Sequence, residues 1–93
     1  MVAWIETASG NLLNTASVGH ILVKESTPGG TWEVVAATDA KSAAFATGLA
    51  GRPAARAVRN ALAVAISAAG TAEAVRMICF EEITGTVCTE ELI

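Results

Sequence analysis

The amino-acid sequence predicts an α+β domain: an antiparallel β-meander of four to six strands with one main α-helix packed on it. Three observations predict this. Residues 1–48 alternate short apolar runs with turn residues at short, even spacing, as strands joined by tight turns do. Residues 53–69 are almost all good helix formers with apolar side chains at helical spacing. Residues 75–88 return to a strand-like pattern, as one strand or a hairpin. Ninety-three residues make one domain, not two.

Val2 to Thr7 is a short apolar run, ended by the turn residues Ala8-Ser9-Gly10-Asn11. Leu12 and Leu13 follow, then a polar break at Asn14-Thr15. From Val18 to Glu25 the pattern alternates. Ile21 and Val23 fall on one face; His20, Leu22 and Lys24 fall on the other. Thr27-Pro28-Gly29-Gly30 is a hairpin turn. Thr31 to Thr38 answers it, with Trp32, Val34 and Ala36 on one face. Asp39-Ala40-Lys41-Ser42 turns again, and Ala43 to Ala46 forms a fourth strand around Phe45.

Gly48 and Gly51 flank a loop. Pro53 suits the first turn of a helix, where its missing N–H costs nothing. The helix runs to Ala69, and Gly70 ends it. Val58, Leu62, Ala65, Ile66 and Ala69 form its apolar stripe. Arg52, Arg56, Arg59, Asn60, Ala63 and Ser67 form the opposite face. Ala57, Ala61, Val64 and Ala68 form a flank of small residues that a second copy of the chain could approach closely. Thr71 to Ala74 reads as a further helical turn. Arg76 to Ile83 reads as a strand, Thr84-Gly85 as a turn and Thr86-Val87-Cys88 as a short return strand. Glu90 and Glu91 belong to a solvated end, and the tail pairs either within its own subunit or with a neighbour's sheet edge.

The spacing Trp4-Ile5-x-Thr7-x-x-Gly10-x-Leu12-x-Asn14, then Val18-x-x-Ile21-x-Val23, then Gly30-x-Trp32-x-Val34, has a counterpart. It resembles small uncharacterised bacterial and phage proteins in which an asparagine–x–x–x–valine turn joins two strands of a meander, followed by a helix. The resemblance covers about the first two-thirds of the chain and stops before the segment after Gly70. It implies a sheet-plus-helix fold and no catalytic residues. For a phage or mobile-element protein it also implies a role in binding and blocking a host factor.

Composition narrows the function classes. The chain is 53% hydrophobic and 16% charged, too apolar for a disordered segment and richer in apolar surface than a small monomer needs. Its net charge is −3 and its pI about 4.9, so nucleic acid and anionic membranes are not expected partners. The longest apolar stretch, Ala61 to Ile66, is far short of the roughly 20 residues that span a bilayer. Met1-Val-Ala-Trp-Ile-Glu lacks the basic start of a signal peptide, and the expected location is the cytoplasm. Cys79 and Cys88 are the only cysteines; nine residues apart they could bridge a hairpin, but in a reducing compartment they are expected as free thiols.

The chemical inventory is sparse. His20 is the only histidine and has no nucleophile motif around it, so it reads as a strand-surface residue. One histidine and two cysteines at this spacing form no metal site. The adjacent carboxylates Glu81 and Glu82 point to opposite faces of a strand and cannot act as an acid–base pair. Gly48-Leu-Ala-Gly51-Arg52-Pro53 leads into a helix N-terminus but lacks the lysine and Ser/Thr of a phosphate-binding loop. Trp4 and Trp32 are expected to fill the core. Arg52, Arg56 and Arg59 share one helix face, a solvated surface or a grip for an anion or an acidic partner.

No enzyme activity and no cofactor are expected. The preferred function is a small interaction module that self-associates, with Ala57, Ala61, Val64 and Ala68 as its interface, and that binds a further protein. The alternative is an oligomer that sequesters a phosphorylated, anionic small molecule through Arg52, Arg56 and Arg59. A DNA-binding regulator ranks third, because the chain is acidic and no helix-turn-helix pair is visible.

Overall fold

The computed structural model describes residues 3–70 and 75–91. Val2, the first residue of the predicted first strand, and the helical turn expected over 71–74 lie outside them. Along the chain run β1 (Ala3–Glu6), β2 (Leu12–Asn14), a 3-10 turn (Thr15–Ser17), β3 (His20–Glu25), β4 (Trp32–Ala37) and β5 (Ser42–Leu49). Then come α1 (Arg52–Ala69), β6 (Arg76–Glu81) and β7 (Thr86–Glu91).

The α+β class and the single helix packed on sheet are as the sequence predicts. The sheet is not one meander of four to six strands. Among the described residues seven strands form a four-stranded sheet in the order β2-β1-β6-β7 and a three-stranded sheet in the order β3-β4-β5. The break comes at the 3-10 turn. Asn14 caps it by accepting a hydrogen bond from Ala16 N at 2.9 Å. The chain then leaves β2 for the second sheet, where Gly19 N donates to Ala37 O at 2.8 Å. Beyond α1 the chain returns to the first sheet, so β6 pairs parallel to β1, with Ile5 opposite Ile78. Every other strand pairing is antiparallel. Ala8 N donates to Ala44 O at 2.8 Å, tying the β1–β2 turn of one sheet to β5 of the other.

β5 is longer than the four residues predicted, because its register slips and resumes. Val35 faces Ala44 while Val34 faces Ala46, which leaves Phe45 as one extra residue on β5. Such a bulge bends the strand locally. Here Phe45 and Ala46 are both about 1% exposed although they are adjacent. A second slip lies between Val34 and Trp32, where Trp32 faces Leu49. Gly48 sits in that slip with φ +69°, a left-handed conformation that disfavours any residue with a Cβ.

α1 needs no side-chain cap to start. Ala55 N donates to Gly51 O at 3.0 Å, and Pro53 occupies the first turn. Its buried residues are Ala55, Val58, Leu62 and Ala69, so the stripe begins one turn earlier than predicted, while the predicted Ala65 and Ile66 are half-buried against the core. This stripe packs on β3, β4 and β5 of one sheet and on β6 and β7 of the other. The core lies between them and centres on Ile5, Val34, Phe45, Leu62 and Ile78.

The tail pairs within its own chain. β6 and β7 form a hairpin closed by Gly85 N donating to Glu81 O at 2.8 Å. β7 continues past the predicted return strand, so Glu90 and Glu91 are ladder residues with exposed side chains. Trp4 is not in the core. Ala3 and Ile5 alternate into it at 1% and 0% exposure, which turns Trp4 to the opposite face of the sheet. Trp32, by contrast, packs against the core as expected.

Candidate functional surfaces

The structure keeps the three arginines on one side of α1 but does not gather them into one site. Arg52 and Arg56 are exposed. Arg59 is half-buried and lines an open cleft of about 380 Å³ between α1 and β3, with Thr15, Val18, Ile21, Asn60 and Ile66 among the other walls. Its guanidinium is steadied by its neighbour, with Nε and Nη2 donating to Asn60 Oδ1 at 3.1 and 2.9 Å. The sequence places no Asp or Glu anywhere in α1. Among the described residues the ion pair that forms is Lys24–Glu33, at 3.4 Å, and no arginine joins a carboxylate.

Negative charge gathers elsewhere. The β6–β7 hairpin carries Glu81, Glu82, Glu90 and Glu91, all exposed, against the single cation Arg76. A net charge of −3 for the whole chain therefore conceals a basic helix face and an acidic hairpin. Total charge gave no hint of this separation, although the arginine spacing within the helix did.

The small-residue flank is exposed along its length. Ala57 and Ala61 line a groove of about 620 Å³ whose other wall is Gly85, Thr86 and Val87 of the hairpin, with Leu49 at its base. Val64 stands clear of that groove at 68% exposure. Ala68 lies one turn further on, also exposed.

His20 is exposed at the start of β3, on the face with Leu22 and away from Ile21 and Val23, which pack on the core. Among the described residues no three His, Cys, Asp or Glu side chains gather closely enough to hold a metal ion. None of their helices is long and apolar enough to cross a membrane.

Sequence reading missed the outer face of the four-stranded sheet. Trp4 and Met77 are register partners there, both half-buried and neither packed on the core. On β6 and β7 the same face carries Cys79 and Cys88, opposite each other. Cys79 is 8% exposed and its thiol is pushed up to about 12. Burial is the main cause, followed by the hydrogen bond and charge of Cys88 and then the carboxylates of Glu90 and Glu6. The alternation of Met77 and Cys79 with Ile78 and Phe80 carried this signal, but the parallel neighbour that completes the face is distant in sequence.

No known protein family, curated protein or solved structure matches the chain. What defines it is its architecture, two small sheets bridged by one amphipathic helix, with charge separated between helix and hairpin.

Proposed function

We propose that this protein is a small non-catalytic interaction module that associates with further copies of itself. One observation carries the reading: α1 bears three arginines and no carboxylate, the β6–β7 hairpin bears four exposed glutamates, and no arginine–carboxylate pair forms among the described residues. Opposite charges left unpaired within one chain are complementary between two chains. The exposed flank of Ala57, Ala61 and Val64 lies beside the arginine face. Its short side chains let a second backbone come close, and Val64 supplies apolar area to bury.

Native mass spectrometry and sedimentation of the wild-type chain and two charge reversals test this. The expected result is an assembled wild type whose mass falls with rising salt, because screening shortens the reach of surface charges to about 3 Å at molar ionic strength. Arg56→Glu with Arg59→Glu should dissociate it. Glu90→Arg with Glu91→Arg should do the same, and mixing the two variants should restore a mixed assembly. A wild type that stays monomeric at every concentration, or an assembly indifferent to both salt and charge reversal, sinks the proposal.

A second reading is that Arg59 holds a phosphorylated small molecule in the α1–β3 cleft, which its steadied guanidinium favours. Arg52 and Arg56 lie outside that cleft and would not contribute. Phosphate binding lost in Arg59→Gln but kept in Arg52→Gln would separate this reading from self-association.

A further inference from the structure

We propose that Cys79 and Cys88 are an oxidisable pair which a low-molecular-weight disulfide, such as oxidised glutathione, converts to one intrachain disulfide across the β6–β7 hairpin. Both cysteines are free thiols in the structure. They are Cα partners in the β6–β7 register. Directly opposed residues of antiparallel strands have Cα atoms about 4.5–5.5 Å apart, within the range that a disulfide spans. The side chains also converge. The two Sγ atoms lie 2.8 Å apart, Cys79 Sγ points to Cys88 O at 3.7 Å, and Cys88 Sγ points to Cys79 O at 3.6 Å. No third ligand gathers on them among the described residues, so the geometry favours a thiol pair over part of a metal centre.

The two thiols have unequal access, which orders the chemistry. Cys88 is half-buried and Cys79 buried. The Cys88 thiolate attacks one sulfur of oxidised glutathione. That S–S bond breaks, one glutathione thiolate leaves, and a mixed disulfide forms at Cys88. Cys79 then gives its proton to solvent and attacks Cys88 Sγ, expelling the second glutathione thiolate. The protein loses two electrons and two protons, and oxidised glutathione takes them up to become two glutathione molecules. Exchange runs through the thiolate, so burial of Cys79 together with the nearby Glu90 and Glu6 carboxylates, which favour its protonated form, makes the second step the slow one.

The bond would fasten β7 to β6. β7 is an edge strand, carries Glu90 and Glu91, and forms one wall of the groove beside α1. Oxidation would thus stiffen that wall without a new partner. The inference does not depend on self-association.

The test is incubation of the folded protein with oxidised glutathione, followed by intact-mass measurement and thiol counting. The expected product is a single-chain covalent mass lighter by two hydrogen atoms, with no free thiol and no glutathione attached. Cys79→Ser should stop at a stable glutathione adduct on Cys88, and Cys88→Ser should react about tenfold or more slowly, since its remaining thiol is buried and protonated. The oxidised wild type should melt roughly 10 °C higher than the reduced protein. Glutathione adducts that never resolve in the wild type, disulfides only between chains, or equal reactivity of the two single variants would overturn it.

Discussion

Phe45 of β5 and Phe80 of β6 meet edge to face, with ring centroids 6.1 Å apart and an interplanar angle of 60°. The two strands belong to different sheets, so this contact joins the sheets where no backbone ladder does. Phe45 is 1% exposed and Phe80 half-buried. Phe45→Ala should lower the unfolding free energy by about 3–5 kcal/mol, and Phe80→Ala by less. Edge-to-face geometry adds about 0.5–1.5 kcal/mol beyond buried area. A double-mutant cycle in urea should recover that coupling. Additive losses would mean that the rings merely share a core.

Gly48 gives a second prediction, from backbone conformation rather than packing. Its φ is +69°, and a Cβ built there meets nothing within 4 Å. A substitution therefore costs conformational energy and no steric clash. Gly48→Ala should destabilise by about 1–2 kcal/mol. Gly48→Asn should recover part of that, because asparagine tolerates the left-handed region better. Equal losses for both in thermal melts would argue that the strand relaxes out of this conformation.

Cys79 makes stability depend on pH at the alkaline end. Its thiol is raised from 9.0 to about 12 in the folded chain. Between these values the unfolded chain has lost the proton and the folded chain holds it, so unfolding releases a proton and raising the pH favours it. The stabilisation is complete below pH about 9 and declines toward 12, with a slope of about 1.4 kcal/mol per pH unit for one proton. Denaturation midpoints of the reduced protein should fall over this range, and Cys79→Ser should lose the part of the decline due to this thiol. A decline identical in the variant would assign it to other groups.

Local patterns were legible in the sequence, and partners across long separations were not. The helix was readable because Val58, Leu62, Ala65 and Ile66 recur at the helical period and Pro53 and Gly70 bracket them. The β3–β4 hairpin was readable from Thr27-Pro28-Gly29-Gly30 and from alternation on both sides. The second sheet was not, because the break at Asn14 looks like any other polar turn until the 3-10 cap is seen. The β1–β6 pairing joins residues about seventy positions apart, and alternation within a strand does not say what lies beside it. The candidate surfaces divided in the same way. The arginine face is a property of one helix, so its spacing is visible in the sequence. The outer face holding Trp4, Met77, Cys79 and Cys88 needs three strands to exist.

Trp4 and Trp32, the only two tryptophans, supply the last prediction, because they look alike in sequence and differ in the fold. Trp32 packs against the core cluster. Trp4 lies on the other face of its sheet, half-buried beside Met77. Removing Trp32 opens space that the core must collapse into, whereas removing Trp4 uncovers a sheet surface that water already reaches. Trp32→Thr should cost about 3 kcal/mol or more, and Trp4→Thr about 1 kcal/mol. Threonine keeps strand propensity at both sites, so the difference reports packing and not backbone preference. Chemical denaturation of the two variants, followed by circular dichroism so that neither signal depends on a tryptophan, measures it directly. Equal costs would mean that Trp4 is buried by something other than its own chain, and the same measurement at two protein concentrations would then show whether a second copy covers it.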